Sequence, residues 1–141
     1  MVYQIVYSSV LNADVDIQQV IQIAREAQAM NTHIGVTGVM AHHKGSILQV
    51  LEGDRIVVET LYFDICSDPR HSQIVQILGQ ETKSREFPDW SMGFQDLPDE
   101  ICDPNILPLS AKTYKELLPD TASDIITSIS QSFALANNIT V

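Results

Sequence analysis

Basic residues are scarce in this chain. It carries 8 Lys and Arg against 18 Asp and Glu, a formal net charge of −10. Neutralising a phosphate backbone takes clustered Lys and Arg. Nucleic acid is therefore not an expected partner, and neither is an anionic membrane surface. Long apolar runs are missing as well: no stretch approaches the roughly 18–20 residues of a membrane span. The N-terminus, Met1-Val2-Tyr3-Gln4-Ile5, has no basic residue ahead of its apolar ones, so no secretory leader is expected and the expected compartment is the cytoplasm. Cysteine is limited to Cys66 and Cys102. Two cysteines make no disulfide framework, and both are read as reduced thiols. Without secretion, the sequon Asn138-Ile139-Thr140 carries no meaning. Repeats and low-complexity tracts are absent.

What remains is an ordinary globular composition, 141 residues with 45% hydrophobic, enough for one domain with one core. Residues 2–9 alternate, with Tyr3, Ile5 and Tyr7 on one face, and read as a first strand. Asp16 with Gln19 three residues on is a capping-box start. Ile17, Val20, Ile21 and Ala24 follow at helical spacing, and Gln28 breaks the stripe; a helix is expected over about 16–30. Residues 34–42 and 46–51 read as two strands of a hairpin around His42-His43-Lys44-Gly45. Asp54 caps a second helix that ends near Ser67, ahead of Pro69. Residues 73–79 and 85–95 complete five strands. The order βαββαββ is an α+β, ferredoxin-like sheet with both helices on one face.

The strand 46–51 is apolar on both faces: Ile47 and Leu51 point one way, Leu48 and Val50 the other. A half-solvated sheet alternates with polar residues, so the second face needs a cover. Residues 96–108 read as a connecting loop, with a short helix near 110–118. After Pro119, Thr121 with Asp124 opens an amphipathic helix bearing Ile125, Ile126, Ile129 and Phe133. These C-terminal helices are the expected cover, and their apolar stripe suits a homo-oligomer.

Gln49 interrupts that apolar strand. A buried carboxamide has two donors and an acceptor to satisfy, and leaving them unpaired costs about 1–3 kcal/mol. In a split βαβ sheet the first and third strands are central neighbours, so Tyr7 and Gln49 can pair across them. Asn31 lies at the end of the first helix. On residue types alone, a satisfied Tyr–Gln pair and an Asn serving as helix C-cap are the ordinary readings. His42 and His43 point to opposite sides of a strand and are not read as metal ligands. Glu52 and Asp54 are read as serving the turn and the helix cap.

Five blocks in register carry more. They are Ile5-Val6-Tyr7-Ser8-Ser9; Asn31 with Ile34-Gly35-Val36-Thr37-Gly38; Leu48-Gln49-Val50-Leu51-Glu52-Gly53; Asp68-Pro69-Arg70-His71; and Arg85-Glu86-Phe87-Pro88-Asp89-Trp90-Ser91-Met92-Gly93-Phe94. In these blocks the chain resembles the BLUF family of flavin-based blue-light sensors, over about residues 2–95. It departs from the family at Ile47, where many members have Phe, and at Met40-Ala41-His42. The resemblance implies a photosensor domain over residues 1–95, with 96–141 as capping and oligomerisation helices of the same unit. It implies FAD between the two helices, with FMN or riboflavin as substitutes. On that reading Asn31 hydrogen-bonds the polar edge of the flavin, Gln49 donates to it, Asp68 and Arg70 lie beside the same pocket with Arg70 able to donate to a ring carbonyl, Ile23 and Ile65 sandwich the ring, and His71 joins the cofactor site or only holds the loop after the second helix.

The resemblance also implies a mechanism. Tyr7 gives an electron and a proton to the excited flavin. Gln49 then rotates or tautomerises and donates to a flavin carbonyl, producing a red-shifted signalling state. An ionised Glu, acceptor-only, cannot replace it. Trp90 and Met92 lie two apart and share a strand face, which suits them to pass the change to the C-terminal helices. The expected output is a downstream signalling protein or a change of oligomer, not catalysis. Two alternatives stand beside this one. An acylphosphatase-like hydrolase on the same topology needs an Arg in a phosphate-cradling loop near the first strand, and residues 8–15 contain no Arg or Lys. A flavin-free interaction module would have no use for Tyr7, Asn31 and Gln49 together.

Overall fold

The structure is a computed structural model that describes residues 1–88 and the backbone of residues 93–96. The elements run β1 (Val2–Leu11), α1 (Ile17–Ile34), β2 (Thr37–His43), β3 (Ser46–Gly53), α2 (Arg55–Cys66), β4 (His71–Thr82) and β5 (Gly93–Asp96). They build one sheet in the order β4-β1-β3-β2-β5. β1 to β4 are joined by antiparallel pairings, and β5 lies parallel to β2. The fold is α+β and ferredoxin-like, with β1 and β3 at the centre.

Local chemistry sets most boundaries. Asp16 caps α1 in a full capping box with Gln19, satisfying donors that the first turn leaves open. Asp54 caps α2 by accepting from the Ile56 N–H at 3.1 Å. Lys44 and Gly45 both have positive φ, 45° and 92°, which is the backbone of a two-residue hairpin turn with the twist the flanking strands require. His42 supports that turn by accepting from the Gly45 N–H at 2.9 Å.

Several boundaries differ from those expected; β4 runs His71–Thr82 where 73–79 was expected. α1 runs on to Ile34, because its left-handed cap is Gly35 at φ 73°, a conformation that glycine adopts without steric cost. β2 accordingly starts at Thr37 and not at residue 34. Residues 85–88 are turn and not strand, and β5 begins at Gly93. The expected helices in 96–141, with Cys102, lie outside the described residues, and so do Trp90 and Met92.

Val20 and Ala24 of α1 and Val58 of α2 share a core with Ile5, Tyr7, Met40, Ile47 and Leu51 of the sheet. The opposite sheet face is buried as well, at Val6, Val39, Ala41, Leu48 and Val50. Glu52 lies on that second face and is fully buried. It does not serve the turn at Gly53, as expected; its carboxylate accepts from the backbone N–H of Phe87 at 2.8 Å. Burial pushes its carboxyl above the ordinary range, against the opposing pull of the Glu86 and Phe87 N–H groups and the Gln4 amide.

Candidate functional site

The register of the two central strands builds the site. β1 and β3 pair so that Tyr7 stands directly across from Gln49, and period-two alternation points both toward the helices. The Tyr7 hydroxyl donates to Gln49 Oε1. Tyr7 is 3% exposed and Gln49 4%, so the bond is made away from water. On its other flank β3 sets Gln49 beside Met40 of β2.

A cavity of about 250 Å³ opens over this pair, between the helices. Ile23 lines it from α1 and Ile65 from α2, together with Met40, Ile47 and Leu61. Its polar lining comes from Tyr7, Gln49, Asn31, Asp68, Arg70 and His71. An apolar chamber with a few convergent polar groups is the usual form of a small-molecule site.

Asn31 is not the helix cap. It sits in the last turn of α1, 1% exposed. Its backbone carbonyl accepts from the Gly35 N–H and from the Val36 N–H at 2.9 Å. The stripe Val20, Ala24, Ala27, Asn31 explains the burial: at spacings of four, three and four these residues share one helix face. Sequence reasoning that followed Gln28 instead missed the last member of this stripe.

After α2 the chain turns at Asp68-Pro69-Arg70. The Asp68 carboxylate accepts from Arg70 Nε at 3.0 Å and from Nη2 at 2.6 Å, and Arg70 Nη1 reaches Glu26 at 3.3 Å. The Arg70 hydrogen bond holds the Asp68 carboxyl below its ordinary range, against partial burial. His71 has both ring nitrogens engaged, Nδ1 with Ser9 Oγ at 3.0 Å and Nε2 with the Ile65 carbonyl at 2.6 Å. The carbonyl only accepts, so Nε2 carries the hydrogen. The ring thereby ties β1 and β4 to the end of α2, a bracing position at the cavity wall.

Tyr62 stacks against Tyr7, ring centroids 5.4 Å apart at 52°. Burial, with a hydrogen bond to Cys66, pushes the Tyr62 phenol up to about 12. Tyr7 is pushed well above the usual phenol range, by burial first and then by Tyr62, Cys66 and Asp68. It therefore remains a donor through the physiological range. The shift also fixes a sign: the folded state keeps a proton that the unfolded chain releases above about pH 10. Stability should be unaffected by Tyr7 below that pH and fall above it, by about 1.4 kcal/mol per pH unit for this one proton. Urea midpoints from about pH 9 to about pH 11 measure the slope, and Tyr7→Phe should flatten it. An equal slope in both proteins would contradict the assignment.

Among the described residues no His, Cys, Asp and Glu cluster could hold a metal ion, and no helix is long and apolar enough to cross a membrane. Cys66 is exposed.

Comparison with known proteins follows the same residues. A family model described as BLUF, sensors of blue-light using FAD, matches residues 2–93. The blue light- and temperature-regulated antirepressor BluF of Escherichia coli (strain K12) is 30% identical over 97 residues, covering 69% of this chain and 24% of that protein. The chain thus spans about a quarter of the length of that relative. Among solved structures, a Klebsiella pneumoniae BlrP1 complex is 29% identical with a TM-score of 0.65, covering 69% of this chain and 25% of that one. The dark-state structure of the BLUF protein BlrB has a TM-score of 0.69 at 23% identity and covers 96% of both chains; at that identity it speaks for the fold.

Proposed function

Since the chain belongs to the BLUF family, the sensors of blue light that use FAD, we propose that its flavin sits in the cavity over Tyr7 and Gln49 and that this pair is the light-driven switch. The observation that carries the reading is the in-register Tyr7–Gln49 hydrogen bond in the cavity wall.

The lining suits the cofactor. Ile23 and Ile65 offer apolar surface from two helices to a flat ring, and the amides of Asn31 and Gln49 offer donors and acceptors to its polar edge. Arg70 has five N–H groups and spends only part of them on Asp68 and Glu26, so it stays a donor at the rim. Its side chain is 43% exposed, which suits a mouth where an anionic tail leaves into water. His71 acts by bracing the wall.

When bound and excited by blue light, the flavin supplies an oxidant strong enough to draw an electron and a proton from a nearby phenol. Tyr7 is that phenol: buried, protonated and committed to Gln49. Loss and return of its electron and proton together would break the bond to Gln49 Oε1. The amide then turns over or tautomerises, and its donors are redirected within the cavity. A carboxamide is suited to this because it donates and accepts on one group. Gln49 rearranged in this way is a second state of the strand pair, reached through one hydrogen bond.

We assign the output to a partner protein or a change of assembly, with Trp90 and Met92 on the route. The chain's family membership speaks against the hydrolase alternative. The deciding experiment is the absorption spectrum of the purified protein before and after blue light. A yellow protein whose flavin bands shift reversibly to the red is expected. A protein that stays colourless after incubation with FAD, or a yellow one with no reversible shift, would overturn the reading.

A further inference from the structure

The segment Arg85-Glu86-Phe87 does not touch the Tyr7–Gln49 pair, yet side chains from several elements hold it. Arg85 Nη1 donates to Thr37 Oγ1 at 2.9 Å and to the Glu52 carbonyl at 3.1 Å, and Nη2 donates to the Gly35 carbonyl at 2.8 Å. The Glu52 carboxylate accepts from the Glu86 N–H at 2.8 Å through Oε2 and from the Phe87 N–H at 2.8 Å through Oε1. Gln4 Nε2 donates to Glu52 Oε2 at 3.0 Å and to Glu86 Oε2 at 2.7 Å, and Gln4 Oε1 accepts from Gln80 at 3.1 Å. Gln4 and Glu52 have no exposure, and Phe87 is 2% exposed.

A buried carboxylate is costly unless its lone pairs are met. Glu52 meets that condition by gripping two successive backbone N–H groups, which fixes the backbone of 86–87 to hydrogen-bond tolerance. The grip is in register with the switch. Gln4 faces Glu52 across the same two strands that pair Tyr7 with Gln49. The two pairs are three residues apart, and an odd spacing puts them on opposite faces. Arg85 reaches, through Gly35, the turn whose N–H is held by the Asn31 carbonyl. One end of the clasp therefore belongs to the strand of Gln49 and the other to the turn that ends the helix of Asn31.

We propose that Glu52 and Arg85 are positioning residues for the light response: with Gln4 they clasp residues 85–87 to β3 and to the end of α1, so that rearrangement at Gln49 is carried to the chain that follows. The inference rests on the photoreceptor reading and names its route across the sheet.

Trp90 is the only tryptophan of the chain and lies three residues past Phe87, so its fluorescence reads the segment directly. In the full chain, Glu52→Gln keeps the shape but supplies one acceptor oxygen where two are used. Two results are expected. Without light or cofactor, amide hydrogen exchange at Glu86 and Phe87 should accelerate about tenfold, while the amides of Leu51 and Tyr7 keep their rates. In the flavin-loaded protein, the red shift should persist, while the light-induced change in Trp90 fluorescence seen in the parent falls at least about threefold. Arg85→Gln, which breaks the other end of the clasp, should have the same effect on Trp90, and it stands in if Glu52→Gln does not fold. Exchange that rises uniformly across the sheet, or a Trp90 response equal to that of the parent, would overturn the clasp. A parent that shows the red shift with no Trp90 change would also overturn it and leave the photoreceptor standing. A parent with no red shift would sink the photoreceptor reading instead, and the exchange rates at Glu86 and Phe87 would still decide whether the clasp exists.

Discussion

Gln49→Leu should abolish the reversible red shift while the protein remains yellow. Leucine preserves an apolar cavity wall but neither donates nor accepts, so Tyr7 loses the acceptor at Gln49 Oε1 and no donor is left to redirect. The flavin contacts proposed for Asn31, Ile23 and Ile65 on the helices do not depend on this side chain, which is why the flavin should stay. Tyr7→Phe should give the same spectral loss from the other side, by removing the phenolic proton. Each single change also removes one partner of a buried hydrogen bond, at a cost of about 1–3 kcal/mol. The double variant removes both partners, so its stability should lie closer to the parent than the two losses summed, and yet it should show no photocycle. Illuminated spectra and urea midpoints of the four proteins separate the photochemical role of the pair from its structural one. A normal photocycle in either single variant would end the assignment.

Gly38→Ala should unfold or severely weaken the domain. A Cβ built on Gly38 would stand 1.8 Å from the Val50 carbonyl oxygen and 2.8 Å from its carbon. Both atoms are backbone, and both belong to β3, the strand that pairs with β2 through Gly38 opposite Leu51. No rotamer relieves such a contact, so the strands must part. Overpacking of this kind costs about 3 kcal/mol or more, a large share of the about 5–15 kcal/mol that holds a domain together. The damage should reach the site, because Met40 and Gln49 pair two positions along the same ladder. Gly35→Ala is the control. Nothing lies within 4 Å of its would-be Cβ, and only the φ of 73° resists the change, at about 1–2 kcal/mol. Denaturation midpoints should rank parent, Gly35→Ala and Gly38→Ala in that order. A Gly38→Ala protein within about 1 kcal/mol of the parent would mean that β2 and β3 do not approach so closely.

Much of this was legible residue by residue. Asp16 and Gln19 announce the start of α1, Asp54 that of α2, and Lys44-Gly45 the hairpin, because caps and turns are decided by neighbours a few positions away. The alternation of Tyr3, Ile5 and Tyr7 marks β1 for the same reason. The end of α1 was missed although its signal, Gly35, is local; in two other places a distant contact overruled a local pattern. The period-two spacing of Trp90, Met92 and Phe94 reads as a strand from residue 85 onward, yet Glu52, more than thirty positions earlier, holds residues 86 and 87 in a turn. Gln28 looks like the break in the helix stripe, and the buried position is Asn31, whose place is set by where the sheet lies beneath α1.

Five blocks of residues, each short and in the right order, were enough to mark the family and to single out Tyr7, Asn31 and Gln49 as the polar side chains of the proposed site. Their meeting is another matter. Tyr7 and Gln49 are 42 residues apart, and a slip of one residue in the β1–β3 register would send one of them to the far face. That register is held by the whole ladder from Tyr3–Gly53 to Val10–Ser46, and no local pattern encodes it. The same pairing buries Gln4 against Glu52 on the opposite side, a consequence that became visible only once the strands were laid together. Types and periods of side chains are local properties and are written along the chain; who faces whom across a sheet is a sum over many distant contacts, and it exists only when the chain has folded.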